Sequence, residues 1–72
     1  MTSVQGKSLL LQYGAKVDSW GMYNIKGYRF NFVRMKKLKI LRNNKLVEDI
    51  SLKDYSLEEL KQTLSDIVNF SL

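Results

Sequence analysis

Apolar and polar positions change period along this chain, and each change marks an element. The clearest pattern is the last: Leu57, Leu60, Leu64, Ile67 and Val68 recur at helical spacing and form one apolar stripe. Just before it, Ser56-Leu57-Glu58-Glu59 reads as a capping box, the serine hydroxyl accepting from the Glu59 amide while the Glu59 carboxylate reaches back. Tyr55 and Leu60 flank the box as a hydrophobic staple, and Glu58 and Glu59 lie in the first turn, where the helix dipole favours acids. The spacing predicts a helix over about residues 57–70.

The middle of the chain has period two. Tyr28-Arg29-Phe30-Asn31-Phe32 alternates aromatic with polar, as a half-buried strand does. Leu38-Lys39-Ile40 resumes the alternation after a basic bend around residues 34–37. Asn43-Asn44 suits the positive φ of a tight turn, with a return strand from Leu46 to Leu52. Met22 to Ile25 reads as a further strand, turning through Lys26-Gly27. These segments predict an antiparallel meander of three or four strands. On its pleat Tyr28, Phe30, Phe32, Leu38, Ile40, Leu46, Ile50 and Leu52 face the C-terminal helix. Arg29, Asn31, Lys37, Lys39, Asp49 and Ser51 fall on the other face, interrupted by the aliphatics Val33, Leu41 and Val47.

The first twenty residues fit two descriptions. Ser8 to Tyr13 is a short apolar run that periodicity alone assigns equally to helix or strand. A cap at Thr2 or Ser3 and a stop at Gly14 favour a helix, with Val4, Ser8, Leu10 and Leu11 on its buried side. Leu9-Leu10-Leu11-Gln12-Tyr13-Gly14-Ala15-Lys16-Val17-Asp18 resembles the second-helix ending of an ankyrin repeat, but no second copy follows, and one repeat cannot bury its own face. The order is then α-β-β-β(-β)-α: a single small α+β domain over residues 1–72, its sheet packed on the C-terminal amphipathic helix.

Composition narrows the chemistry. At 72 residues a fold buries only about 60% of what its unfolded chain exposes. Cysteine and histidine are both absent, so no disulfide forms and a structural zinc site is disfavoured. Stability must come from the apolar core or from a second subunit that extends it. The same absences remove the commonest general base and the best nucleophile. Gly6, Gly14, Gly21 and Gly27 are dispersed rather than gathered into a phosphate loop, and the acids lack the one-three-five spacing of a calcium loop. The expectation is a non-enzymatic protein with no cofactor and no metal. No apolar run approaches a signal peptide or the roughly 20 residues of a membrane span, which points to a soluble, cytoplasmic protein without a membrane partner. The lysine-, asparagine- and leucine-rich, proline-free composition fits an AT-rich coding source such as a bacterium or its phage.

Charge adds a direction. Residues 1–46 carry ten basic side chains and one acid, Asp18, for a net +9; residues 47–72 carry two basic and six acidic ones, for a net −4. A basic sheet face or hairpin of this kind suits phosphates, because Lys and Arg displace condensed counterions there. The candidate contacts are Arg29, Arg34, Lys36, Lys37, Lys39, Arg42 and Lys45. The plainer account is a solvated strand surface, for which lysine is a usual choice. Trp20, Tyr23, Tyr28, Phe30 and Phe32 interleave with these cations; alternation assigns Phe30 and Phe32 to the core. Trp20, between Ser19 and Gly21, is either an exposed anchor for a protein partner or a lid on the core rim, and the shortage of large core groups favours the lid. The acids Glu48, Asp49, Asp54, Glu58, Glu59 and Asp66 read by default as ordinary solvent-facing charge. Otherwise Glu48 and Asp49 pair with the basic strand across the Asn43-Asn44 hairpin, near Lys39 and Ile40, or the set joins copies basic to acidic or faces a basic protein partner.

The α-β-β-β-α order resembles a double-stranded-RNA-binding domain, a family with lysines at the start of its second helix; here that turn is Ser56-Leu57-Glu58-Glu59, which repels phosphate. A three-stranded sheet followed by a helix also resembles the amino-terminal arm-binding domain of some phage and transposon integrases, which read DNA with the sheet. Both likenesses concern element order only, and order does not carry function. Two readings follow: a nucleic-acid-binding module using the basic face or hairpin, and a protein–protein module, such as a small inhibitor or assembly factor, that uses Trp20 and the exposed aliphatics, with oligomerisation to enlarge a small core.

Overall fold

The computed structural model describes residues 1–70. It has two helices and a five-stranded antiparallel sheet: α1 Ser3–Gln12, β1 Lys16–Val17, β2 Tyr23–Ile25, β3 Tyr28–Val33, β4 Lys37–Arg42, β5 Lys45–Ser51, a 3-10 turn Leu52–Asp54 and α2 Leu57–Phe70. The strands follow chain order across the sheet. The α+β architecture and the C-terminal helix match the sequence pattern. The strand beyond three or four is β1, two residues pairing Lys16 with Asn24 and Val17 with Tyr23, too short to show a period.

Local chemistry explains both helix starts. The Thr2 hydroxyl accepts from the Gln5 amide while the Gln5 side chain accepts from the Thr2 amide, and Ser56 and Glu59 make the same reciprocal pair before α2. Residues 3–13 are therefore helical through Gln12, as the caps indicate. The buried side of α1 differs from expectation. It comprises Ser3, Gly6, Leu9 and Leu10, whereas Val4, Ser8 and Leu11 are exposed. Gly6 is the cause: a Cβ there would lie 2.8 Å from the Phe32 ring, so the missing side chain lets the helix backbone settle on that ring. On α2, Leu60, Leu64 and Ile67 are buried, Leu57 is half-buried and Val68 is exposed.

Both helices cover one face of the sheet. Leu9, Leu10, Leu60, Leu64 and Ile67 join Ile25, Phe30, Leu38, Ile40, Leu52 and Tyr55 in one core. The Tyr55 hydroxyl and the Thr63 hydroxyl lie 2.8 Å apart, and burial pushes the Tyr55 phenol above its ordinary pKa, against the lowering effect of that bond. Among the described residues no helix is long and apolar enough to cross a membrane.

One strand breaks the pleat. Ile40 pairs with Glu48 but Leu41 pairs with Leu46, leaving Val47 as the extra residue of a bulge. The bulge reverses the alternation, so Leu46, expected inside, lies opposite Leu41 on the outer side and is 55% exposed. It also spoils the regular spacing of free backbone groups along β5, one way an edge strand avoids pairing with other chains.

Candidate nucleic-acid interface

Among the described residues no element packs on the sheet's second face. Across it the register runs Arg29 to Leu41, Asn31 to Lys39 to Asp49, and Val33 to Lys37 to Ser51, so the polar alternation read from the sequence places these side chains as expected. The seven nominated cations do not form one patch. Arg34, Lys36, Lys37 and Lys39, with Val33, line a shallow depression of about 360 Å³ at the β3–β4 end, and no acid lines it. Arg42 and Lys45 flank the Asn43-Asn44 turn at the other end of β4, roughly 17 Å away at the rise of a strand. Arg42 leans on the helix-side Tyr28, with its guanidinium 5.2 Å from the ring centroid and a 3.2 Å bond to the phenol oxygen. Arg29 sits between the two groups and is held by Asp18.

The depression rests on a turn the chain does not form cheaply. Lys36 N–H donates to the Val33 carbonyl at 3.1 Å, and the central residues Arg34 and Met35 have φ of 53° and 58°. Side chains other than Gly, Asn or Asp cost about 1–2 kcal/mol each in that region. At the opposite end the comparable positions are Asn43 and Asn44, which suit it. Leu52 N–H donates to the Lys36 carbonyl at 2.8 Å, fastening the hairpin tip to the 3-10 turn. A strained tip thus displays Arg34, Met35 and Lys36 to solvent.

Trp20 corrects the expected lid over the core: the residue is 77% exposed, and its ring lies against Arg29, a residue of the open face. The loop carrying it is organised by Asp18. One carboxylate oxygen accepts from the Trp20 and Met22 amides at 2.9 and 3.1 Å. The other accepts from Asn24 Nδ2 at 2.9 Å and from the Arg29 guanidinium at 2.7 Å. These bonds, Arg29 first and Asn24 second, hold the Asp18 carboxyl far below the usual carboxylate range. Arg29 in turn lies 5.6 Å from the Trp20 ring centroid. Tyr23, Tyr28, Phe30 and Phe32 all belong to the helix side of the sheet, buried or half-buried, so the aromatic cluster of the sequence is split between two faces.

Asp18–Arg29 is the one ion pair among the described residues; Lys39 and Asp49 are cross-strand neighbours without one. No group of three or more acidic side chains comes together there in a way that would hold a metal ion. The role of Asp18 is not legible in the sequence: the Lys26-Gly27 turn pairs Asn24 with Arg29, but no local pattern places residue 18 beside them. No protein-family description, curated protein or solved structure matches the chain.

Proposed function

We propose that this chain is a non-enzymatic module of the cytoplasm that holds nucleic acid against its open sheet face, with Arg34, Lys36, Lys37 and Lys39 meeting phosphates. The observation that carries the reading is the depression lined by those four cations and free of acids. It lies beside a face that no helix covers, at a turn that keeps Arg34 and Met35 despite their positive φ. Counterion release at four phosphates gives a log–log salt slope of about −3.6 on a duplex or about −2.8 on a single strand. Replacing Lys36, Lys37 and Lys39 together with alanine should flatten the slope by about two to three without unfolding the protein. Absence of binding to any nucleic acid at low salt would sink the proposal. A protein partner is the second reading, favoured by the exposure of Trp20 beside that of Met35, Leu46 and Val47; association of two copies belongs to that reading.

A further inference from the structure

The proposed function leaves open which form of nucleic acid the face accepts, and the loop at Asp18 bears on that choice. Trp20, a residue 77% exposed to water, gains little from burial, yet its backbone is held in place. Asp18 accepts from the Trp20 and Met22 amides through its side chain, the Gly21 amide donates to the Asp18 carbonyl at 3.0 Å, and the Asp18 amide donates to the Met22 carbonyl at 2.9 Å. One side of the ring rests on the Arg29 guanidinium. That guanidinium is neutralised by Asp18 at 2.7 Å, so it serves the ring as a support more than it serves a phosphate as a partner. The other side of the ring is the surface left to solvent. From Arg29 along β3 to Val33 at the basic depression is roughly 13 Å, a distance a few nucleotides span.

From this geometry we infer that, on the nucleic-acid reading, the ligand is single-stranded or carries an unpaired base, and that this base stacks on the free side of Trp20 while the following phosphates enter the depression. A paired base inside a duplex has both its flat sides covered by neighbouring bases and presents only edges and backbone. An unpaired base offers its flat side, which is what an aromatic platform takes up. The two halves of the site then divide the work: the ring contributes affinity that salt does not weaken, and the cations contribute the part that it does.

The chain has one tryptophan, so its emission reports directly on this contact. Short labelled oligothymidylate and oligouridylate, and a duplex of equal length, are titrated by anisotropy at several salt concentrations while indole emission is followed. Single strands should bind more tightly than duplex and quench Trp20. Trp20→Ala should weaken single-strand binding roughly 5- to 150-fold with the salt slope unchanged. Trp20→Phe, which keeps a ring, should retain most of the affinity and guards against loss of folding in the alanine variant. Equal binding of duplex and single strand, unquenched emission, and indifference to Trp20→Ala overturn the inference while leaving the basic depression as a nucleic-acid site. No binding of any probe overturns both and turns attention to a protein partner for Trp20.

Discussion

The two faces of this sheet are built from the same strands and obey opposite rules. On the covered face, Phe30 and Leu38 are completely buried and shape decides what fits, down to a glycine whose missing Cβ admits the Phe32 ring. On the open face, Lys37 and Lys39 stand on the same strand as Leu38 and Ile40, one residue out of phase, and what they touch is solvent or a partner. Burying apolar groups stabilises the fold, so substitutions on the covered face should act on stability. The open face contributes little to stability and is where its side chains are free to bind.

The largest effects should come from the core. Phe30→Ala should cost about 3–5 kcal/mol and Leu64→Ala about 2–5 kcal/mol in chemical denaturation; losses below about 1 kcal/mol would mean that the helices do not cover this face. Gly6→Ala sets two effects against each other. Alanine gains about 1 kcal/mol in helix propensity, and overpacking against Phe32 costs about 1–3 kcal/mol. The net should be destabilising. In a Phe32→Ala background the clash is gone and the same substitution should stabilise, a change of sign that a double-mutant cycle detects.

At the rim between the faces, replacing Arg34-Met35 by Asn-Gly should relieve the backbone and raise stability by about 1 kcal/mol. On the proposed nucleic-acid reading it should also weaken binding, since Arg34 lines the depression. Stabilisation with full binding would remove the hairpin tip from the interface. Lys39→Ala, on the open face, should change stability by less than about 0.5 kcal/mol, and a larger loss would show that the two faces are energetically coupled.

The smallest effect is a pH dependence of the Trp20 loop. The Asp18 carboxyl binds its proton less readily in the fold than in the unfolded chain, because Arg29 and Asn24 favour its charged form. Its contribution is therefore complete above about pH 4, the ordinary range of an aspartate. It fades as pH falls below that range toward the depressed value. Trp20 emission should be constant from neutrality to about pH 4 and should change only under stronger acid. A transition centred at the ordinary aspartate pKa would mean that the Asp18–Arg29 pair does not form in solution.

What the residues determined by themselves is what depends on near neighbours in the chain. The stripe and capping box of α2, the alternation of β3 and β4, and the Asn43-Asn44 turn all follow from interactions within a few residues, and all stand in the structure. So does the sorting of cations onto the β4 face, because a pleat has period two. Four features were decided only when separate elements met. Leu46 faces outward because one bulged residue reverses the register. Val4 and Leu11 are exposed because Gly6, and not the most apolar side of α1, meets Phe32. The seven cations fall at separate ends because the hairpin turns alternate between ends of the sheet. Trp20 stands in solvent because Asp18 found Asn24 and Arg29 on strands that its own sequence neighbourhood does not contain. In each case the deciding factor is how separate elements pair or pack, and the local pattern of any one element contains no information about that until the strands have paired.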